Sequence, residues 1–109
     1  MNALTYRGYT GVVEYDAESG TLHGEVIDLR DGITFQSASA ADIEQEFHRS
    51  VDEYLKVCQE RGRTPDKPFS GKLALRLPAE LHRQASVLAR QRGKSLNQWI
   101  VEAITERVS

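Results

Sequence analysis

Residues 72–77 restrict the fold of this chain most, because they alternate strictly between two kinds of side chain. In an extended chain, alternate residues lie on opposite faces. One face carries Leu73, Leu75 and Leu77, and the other carries Lys72, Ala74 and Arg76. A lone strand with a row of leucines on one side needs a partner strand and a cover. We therefore predict that this strand pairs with its symmetry mate in a homodimer, with its leucines in the dimer core.

The residues after this strand predict two helices. Pro78 suits a first helical turn, because proline has no N–H to leave unsatisfied, and Gly93 indicates a helix end. Ser95 and Gln98 have the spacing of a capping box at the start of the second helix. Apolar residues recur at helical spacing in both segments: Leu81, Ala85, Leu88 and Ala89 in the first, and Leu96, Trp99, Ile100, Ala103 and Ile104 in the second. We predict that Trp99 and Ile100 join the dimer core.

A paired ribbon of this kind has a well-known use, which is to enter the major groove of DNA. Arg76 can bind O6 and N7 of guanine together, and Lys72 can reach a base or a phosphate. The small Ala74 would let the ribbon lie close to the bases. Backbone N–H groups at the start of the second helix form a natural phosphate site, which consists of Ser95, Leu96 and Asn97 with Lys94 beside them.

Residues 71–109 resemble the ribbon-helix-helix fold of the Arc/MetJ repressor class. The resembling residues are Leu75-Arg76-Leu77-Pro78 with Leu81, then Arg92-Gly93-Lys94-Ser95-Leu96-Asn97 and Ile100. The resemblance implies the same base-reading strand and the same phosphate-binding turn. Ala74 departs from the family, where a polar residue is commoner at this position. The alternative is an ordinary helical hairpin with a leading strand.

The charge of the chain is divided unequally between its two parts. The whole chain of 109 residues has a net charge of −2. Residues 1–67 contain 7 Lys/Arg and 13 Asp/Glu, a net charge of −6, whereas residues 68–109 contain 7 Lys/Arg and 3 Asp/Glu, a net charge of +4. An acidic front and a basic tail indicate different partners for the two parts.

The acidic part predicts a small β-β-β-α domain, so the fold class is α+β. The strands are predicted over residues 4–15, 22–27 and 33–37, in an antiparallel meander. A helix follows, with Ser39 and Asp42 as a cap pair and Gly62 as its end. Its apolar stripe consists of Ile43, Phe47, Val51, Tyr54, Leu55 and Cys58. We predict three segments: a first domain over 1–62, a linker over 63–70, and a ribbon-helix-helix domain over 71–109.

Nothing in the sequence favours catalysis. The candidate residues of the first domain show no metal-ligand spacing and no nucleophile beside a base, so we expect neither an enzyme nor a bound cofactor or metal. These candidates are Glu14, Asp16, Glu25, Asp28, Asp31, His23 and His48. With no signal peptide and no apolar run that could span a membrane, we expect a cytoplasmic protein. The single cysteine, Cys58, agrees with a reducing compartment, and we predict that it fills the core.

Nearly the whole chain resembles the HicB antitoxin family. The resembling segments are residues 6–9, 14–16, 22–26, 31–35, 47–48, 51–55, 58 and 67–72. The resemblance implies that the first domain is a partial RNase-H-like fold without a working active site, which masks a HicA toxin, a small basic RNA-cleaving protein. It also implies that the ribbon-helix-helix tail represses the operon that encodes both proteins by binding operator DNA.

The leading hypothesis is therefore an antitoxin and autorepressor that acts as a homodimer and can assemble further through its first domain. An acidic domain suits a basic toxin, and we predict that Asp28 and Asp31, near the second turn, contact it. A second hypothesis is a stand-alone ribbon-helix-helix repressor whose first domain senses a ligand or oligomerises. A third, an RNase-H-like enzyme, needs a convergent carboxylate set with a divalent metal, which the sequence does not provide.

Overall fold

In a computed structural model, which describes residues 3–109, the chain forms four strands and three helices. In chain order they are β1 Ala3–Tyr6, β2 Tyr9–Asp16, β3 Thr21–Val26, β4 Ile33–Ser37, α1 Ile43–Glu60, α2 Ala79–Gln91 and α3 Leu96–Val108. They fall into two compact units. The first unit ends at Lys72, and the second unit spans Leu73–Ser109. The predicted α+β class is confirmed.

The first unit is an antiparallel sheet with the order β1-β2-β3-β4. The prediction of three strands is wrong, because the β-rich run over residues 4–15 folds back on itself. Arg7 and Gly8 have φ values of 52° and 85°, and Tyr6 pairs with Tyr9 across them. Two consecutive positive φ values define the tight hairpin turn that matches strand twist. The predicted second and third strands correspond to β3 and β4.

Helix α1 covers one face of the sheet. The predicted stripe is confirmed: Ile43, Phe47, Val51, Tyr54 and Cys58 are buried, and Leu55 packs against them. From the sheet they meet the buried side chains of Tyr9, Val26 and Phe35. Two strand glycines lie directly under aromatic rings, so these rings approach the backbone itself. A Cβ on Gly24 would lie 2.1 Å from the Phe35 ring, and one on Gly11 would lie 2.9 Å from the Phe47 ring.

The two ends of α1 differ in how well the sequence predicts them. Gly62, with φ of 64°, follows the helix end as expected. The predicted Ser39–Asp42 cap pair is wrong, because Asp42 stands at the N-cap without a side-chain hydrogen bond. Ser39 Oγ instead accepts the N–H of Ala41 at 3.1 Å, within the preceding turn. The Ser39 hydroxyl therefore belongs to the turn before α1 and does not cap the helix.

The second unit contains the predicted helix pair. Pro78 stands at the N-cap of α2, one residue before the helix. Gly93, with φ of 68°, ends the turn after α2, and the Lys94 N–H reaches back to the Ala89 carbonyl at 2.9 Å. The capping box is confirmed: Ser95 Oγ accepts the Gln98 N–H at 3.1 Å, and the Gln98 side chain accepts the Ser95 N–H at 2.9 Å.

The strand predicted over residues 72–77 is not confirmed. These residues have no strand partner within the part of the chain that the structure describes. A strand is defined by the ladder of hydrogen bonds to its neighbour, and the predicted neighbour belongs to a second copy of the chain. The ribbon therefore stays a prediction.

Candidate functional site

The predicted base-reading residues lie on the exposed segment before α2. Lys72, Ala74 and Arg76 are all exposed, so their side chains are free to meet another molecule. The leucines between them are not buried either: Leu73 is 80% exposed and Leu75 is 54% exposed. Within the single chain, both faces of this segment are therefore largely uncovered.

The predicted phosphate-binding residues come together at the start of α3. The capping box holds Ser95 and Gln98 against each other, and the N–H groups of Leu96 and Asn97 open the helix. Among the described residues, no hydrogen bond engages these two N–H groups. Lys94 lies beside the turn and pairs with the carboxylate of Glu102. Its ammonium group would therefore have to be shared between Glu102 and a phosphate.

The two helices of the second unit bury very little. Ala85 and Ala89, at 3% and 1% exposed, are its buried hydrophobic residues, and α3 has no buried residue at all. The remaining apolar side chains surround an open groove, which we call the leucine groove. Its lining is Leu75, Leu77, Leu81, Ala85, Trp99, Ile100, Ala103, Ile104 and Arg107. A unit of this size rarely supplies a sufficient core of its own, and here its apolar groove is left open.

The predicted dimer-core residues are divided between the segment and the groove. Leu75, Leu77, Trp99 and Ile100 line the leucine groove together, whereas Leu73 is outside it. Trp99 and Ile100 are half-buried. The structure thus brings together four of the five residues predicted for the dimer core, on one apolar surface.

The two predicted toxin contacts already have partners within the chain. The Asp28 carboxylate accepts the Phe69 N–H at 2.7 Å, and the Asp31 carboxylate pairs with Arg63. Asp28 has a positive φ of 62°, and so does Phe69, at 54°. Asp28 and Asp31 therefore hold the segment after α1 against the turn before β4, and a partner would have to use their remaining oxygen atoms.

Tyr9 and Tyr54 form hydrogen bonds with Asp66, in the same segment after α1. The Asp66 N–H donates to Tyr54 Oη at 2.8 Å, and Tyr9 Oη donates to the Asp66 carbonyl at 3.1 Å. Burial raises the pKa of the Tyr9 phenol, and the neighbouring Tyr54 adds to the effect. Burial also raises the pKa of Tyr54, against the opposing effect of the Asp66 N–H.

The candidate acidic residues of the sheet do not form a metal site. Asp16 accepts hydrogen bonds from Ser19 Oγ and from the Glu18 N–H, and these lower its pKa. His23 Nε2 lies 3.7 Å from the Asp16 carboxylate. Across residues 3–109, no group of three His, Cys, Asp or Glu side chains could hold a metal ion.

No described helix is long and apolar enough to cross a membrane.

Sequence reasoning did not find a groove of about 340 Å³ between β4 and α1, which we call the β4 groove. Its lining is Gly32, Ile33, Thr34, Ser50, Glu53, Tyr54 and Val57. These residues belong to two segments of the sequence, so only the packing of α1 on the sheet brings them together. The available signal was that the strand sequence Ile-Thr-Phe-Gln-Ser has no charge and no proline, although edge strands usually carry such protection.

The HicB family model matches residues 54–104. This HicB match begins in the last two turns of α1 and ends within α3, so it contains the whole segment of residues 72–97 with the predicted DNA-binding residues. The match covers slightly less than half of the chain. Residues 1–53 lie outside the match, and there the resemblance to HicB stays a prediction. No curated protein and no solved structure matches the chain.

Proposed function

We propose that this chain is a cytoplasmic antitoxin that neutralises a HicA-type RNA-cleaving toxin and represses its own operon. The observation that carries the proposal is the HicB match over residues 54–104. Two physical features support it. The charge of −6 over residues 1–67 suits a basic toxin, and the open leucine groove suits dimerisation. In this proposal the first unit is a partial RNase-H-like domain without an active site of its own.

For the DNA-binding step, two copies of the second unit pair through residues 72–77 and cover each other's leucine groove. This is the ribbon-helix-helix arrangement. Lys72, Ala74 and Arg76 then face the major groove, and the turn from Lys94 to Asn97 binds phosphate through its N–H groups. Because the protein is a symmetric dimer, its operator should contain half-sites related by a two-fold axis.

The test of neutralisation is co-expression. The small basic protein encoded beside this gene is expressed alone and together with the full chain, and growth is followed. We expect growth arrest from the neighbour alone and recovery when this chain is supplied. A matched control supplies a chain with a stop codon at Tyr9, so that transcription is preserved but no protein is made.

The alternative function is a stand-alone repressor whose first domain senses a ligand or oligomerises. One observation favours it: the HicB match covers most of the second unit but leaves most of the first unit unmatched. The co-expression test separates the two functions. No arrest from the neighbouring frame, or arrest that this chain does not relieve, would favour the stand-alone repressor.

The test of DNA reading is Arg76→Ala. We expect the variant to bind operator DNA about 1–3 kcal/mol more weakly and to lose base preference at one position of each half-site, because a bidentate contact to guanine is removed. Arg83→Ala is the control, since Arg83 is exposed on α2 and pairs with Glu80. Binding by fluorescence anisotropy should also weaken steeply as salt rises. Unchanged operator affinity and unchanged base preference in Arg76→Ala would show that Arg76 does not read a base.

A further inference from the structure

Strand β4 is an edge of the sheet, and the register shows which of its backbone groups are free. The Ile27 N–H donates to the Thr10 carbonyl at 2.9 Å. In an antiparallel ladder, hydrogen-bonded and non-hydrogen-bonded pairs alternate. Thr10 and Ile27 form a hydrogen-bonded pair. Counting the alternation from this pair, the backbone N–H and C=O groups of Gly24 and Val26 face away from β2 and towards β4. Their partners in β4 are Phe35 and Ile33.

The neighbouring residues of β4 therefore direct their backbone groups away from β3. The backbone N–H and C=O groups of Thr34 and Gln36 face outward from the sheet, on the side where β4 has no neighbouring strand among the described residues. Both side chains are exposed and uncharged. A short edge with free donors and acceptors and without charge or proline is a template for one more strand.

The β4 groove lies beside this edge, so an added strand would also contact α1. Ile33 and Val57 supply apolar surface there, and Val57 is exposed. Glu53 is the one charged residue in the groove lining. A strand edge beside a helix is the arrangement by which several domains bind an extended peptide, with main-chain hydrogen bonds for affinity and side-chain pockets for specificity.

We propose that the β4 edge and the β4 groove bind an extended segment of the basic toxin, as a fifth strand of the sheet. This inference rests on the proposed function. Charge selects the occupant: Glu53 lies in the groove and residues 1–67 carry −6, so a cationic segment is favoured over a second copy of the same acidic unit. Asp28 and Asp31, which hold the chain's own segment, then lie outside the main contact.

The test is to measure binding of the purified toxin to the full chain and to two proline variants by calorimetry. Thr34→Pro removes an outward N–H from β4 without touching the internal ladder, and an edge strand tolerates this. The matched control is Thr5→Pro. Thr5 is also exposed, and the pairing of Tyr6 with Tyr9 across the tight turn places its backbone outward on the opposite edge, β1. We expect at least tenfold weaker binding for Thr34→Pro and less than twofold for Thr5→Pro.

A charge reversal provides a second arm that does not alter the backbone. Glu53→Lys should weaken toxin binding about tenfold, whereas Glu44→Lys should not. Glu44 lies nine residues earlier on α1, on the opposite side of the helix at 100° per residue. Circular dichroism at each step confirms that the variants are folded, and this arm decides the question if a proline variant fails to fold.

The outcomes separate this inference from the proposed function. Failure of the wild-type chain to bind the toxin would overturn both. Wild-type binding that neither Thr34→Pro nor Glu53→Lys weakens relative to its control would overturn the β4 site and leave the antitoxin function standing. A smaller oligomer for Thr34→Pro with unchanged toxin affinity would assign the edge to a second copy, and would also overturn the proposal.

Discussion

At the residue scale, Gly24 lies directly under the aromatic ring of Phe35. An added Cβ would overlap the Phe35 ring, and that ring is buried against Phe47, with ring centroids 5.3 Å apart. Phe35 therefore cannot turn away without disturbing the core. This contact explains a glycine in the middle of a strand, where glycine otherwise weakens the structure.

We expect Gly24→Ala to lower the free energy of unfolding of the first unit by about 1–3 kcal/mol, the usual cost of overpacking a core. Gly32→Ala is the control, because its Cβ would enter open space. All four tyrosines lie in the first unit, so tyrosine circular dichroism during denaturant unfolding measures this unit. Equal stability of the two variants would contradict the packing argument.

The buried tyrosine pair predicts alkaline destabilisation. Because the pKa of Tyr9 is raised in the folded protein, its stabilising contribution is complete below the unfolded pKa of about 10. It is lost as the pH rises from there through the folded pKa, since the unfolded phenol ionises first. In Tyr9→Phe, the free energy of unfolding should fall less steeply above pH 10 than in the wild type. Parallel curves for the two proteins would exclude this role.

At the element scale, the Ser95 hydroxyl supplies one of the two hydrogen bonds of the capping box at the α3 N-terminus. Ser95→Ala removes the acceptor of the Gln98 N–H, and loss of such a cap typically costs about 1 kcal/mol. The sole tryptophan, Trp99, lies in the second unit, so its fluorescence during unfolding measures that unit. Ser109→Ala removes a hydroxyl from the other end of α3 and should change little. The free energy of unfolding of Ser95→Ala should therefore be about 1 kcal/mol lower than that of Ser109→Ala.

The elements also show what the sequence could predict. Local chemistry was sufficient for the apolar stripe and the C-terminal end of α1, for β4 and for the Ser95 capping box, because the residue period and the stop and cap residues there are local signals. It failed at β1 and β2, because Arg7 adopts a positive φ, which arginine seldom does. It also failed at Ser39, whose hydroxyl is taken by a turn. The β4 groove was out of reach, because it depends on the packing of α1 against an edge strand.

At the scale of the whole molecule, the two units differ in how they are stabilised. The first unit has a continuous core beneath α1, whereas the second unit buries two alanines and leaves Leu75 and Ile104 half exposed. If a second copy covers the leucine groove, the stability of the second unit depends on protein concentration. The midpoint of the Trp99 transition should then rise with concentration, while the tyrosine signal changes less.

Leu75→Asp tests the same dependence by mutation. Leu75 lines the leucine groove, and a buried unpaired carboxylate there would oppose dimer formation. We expect this variant to sediment as a monomer at concentrations where the wild type is dimeric. Val108→Asp is the control, since Val108 is 80% exposed and lies outside the groove. If Leu75→Asp sediments like the wild type, the leucine groove is not the dimer interface.

The meander order of the sheet has a consequence for the time at which each unit becomes active during synthesis. Every strand of the first unit pairs with the next strand in the sequence, so its contacts close short loops and form quickly. N-terminal domains fold first as the chain leaves the ribosome. The acidic unit can therefore fold within a single chain as that chain leaves the ribosome, whereas the leucine groove of the second unit stays open in a single chain. Under the proposed function, a newly made chain could bind the toxin before two second units have paired, so neutralisation would precede repression.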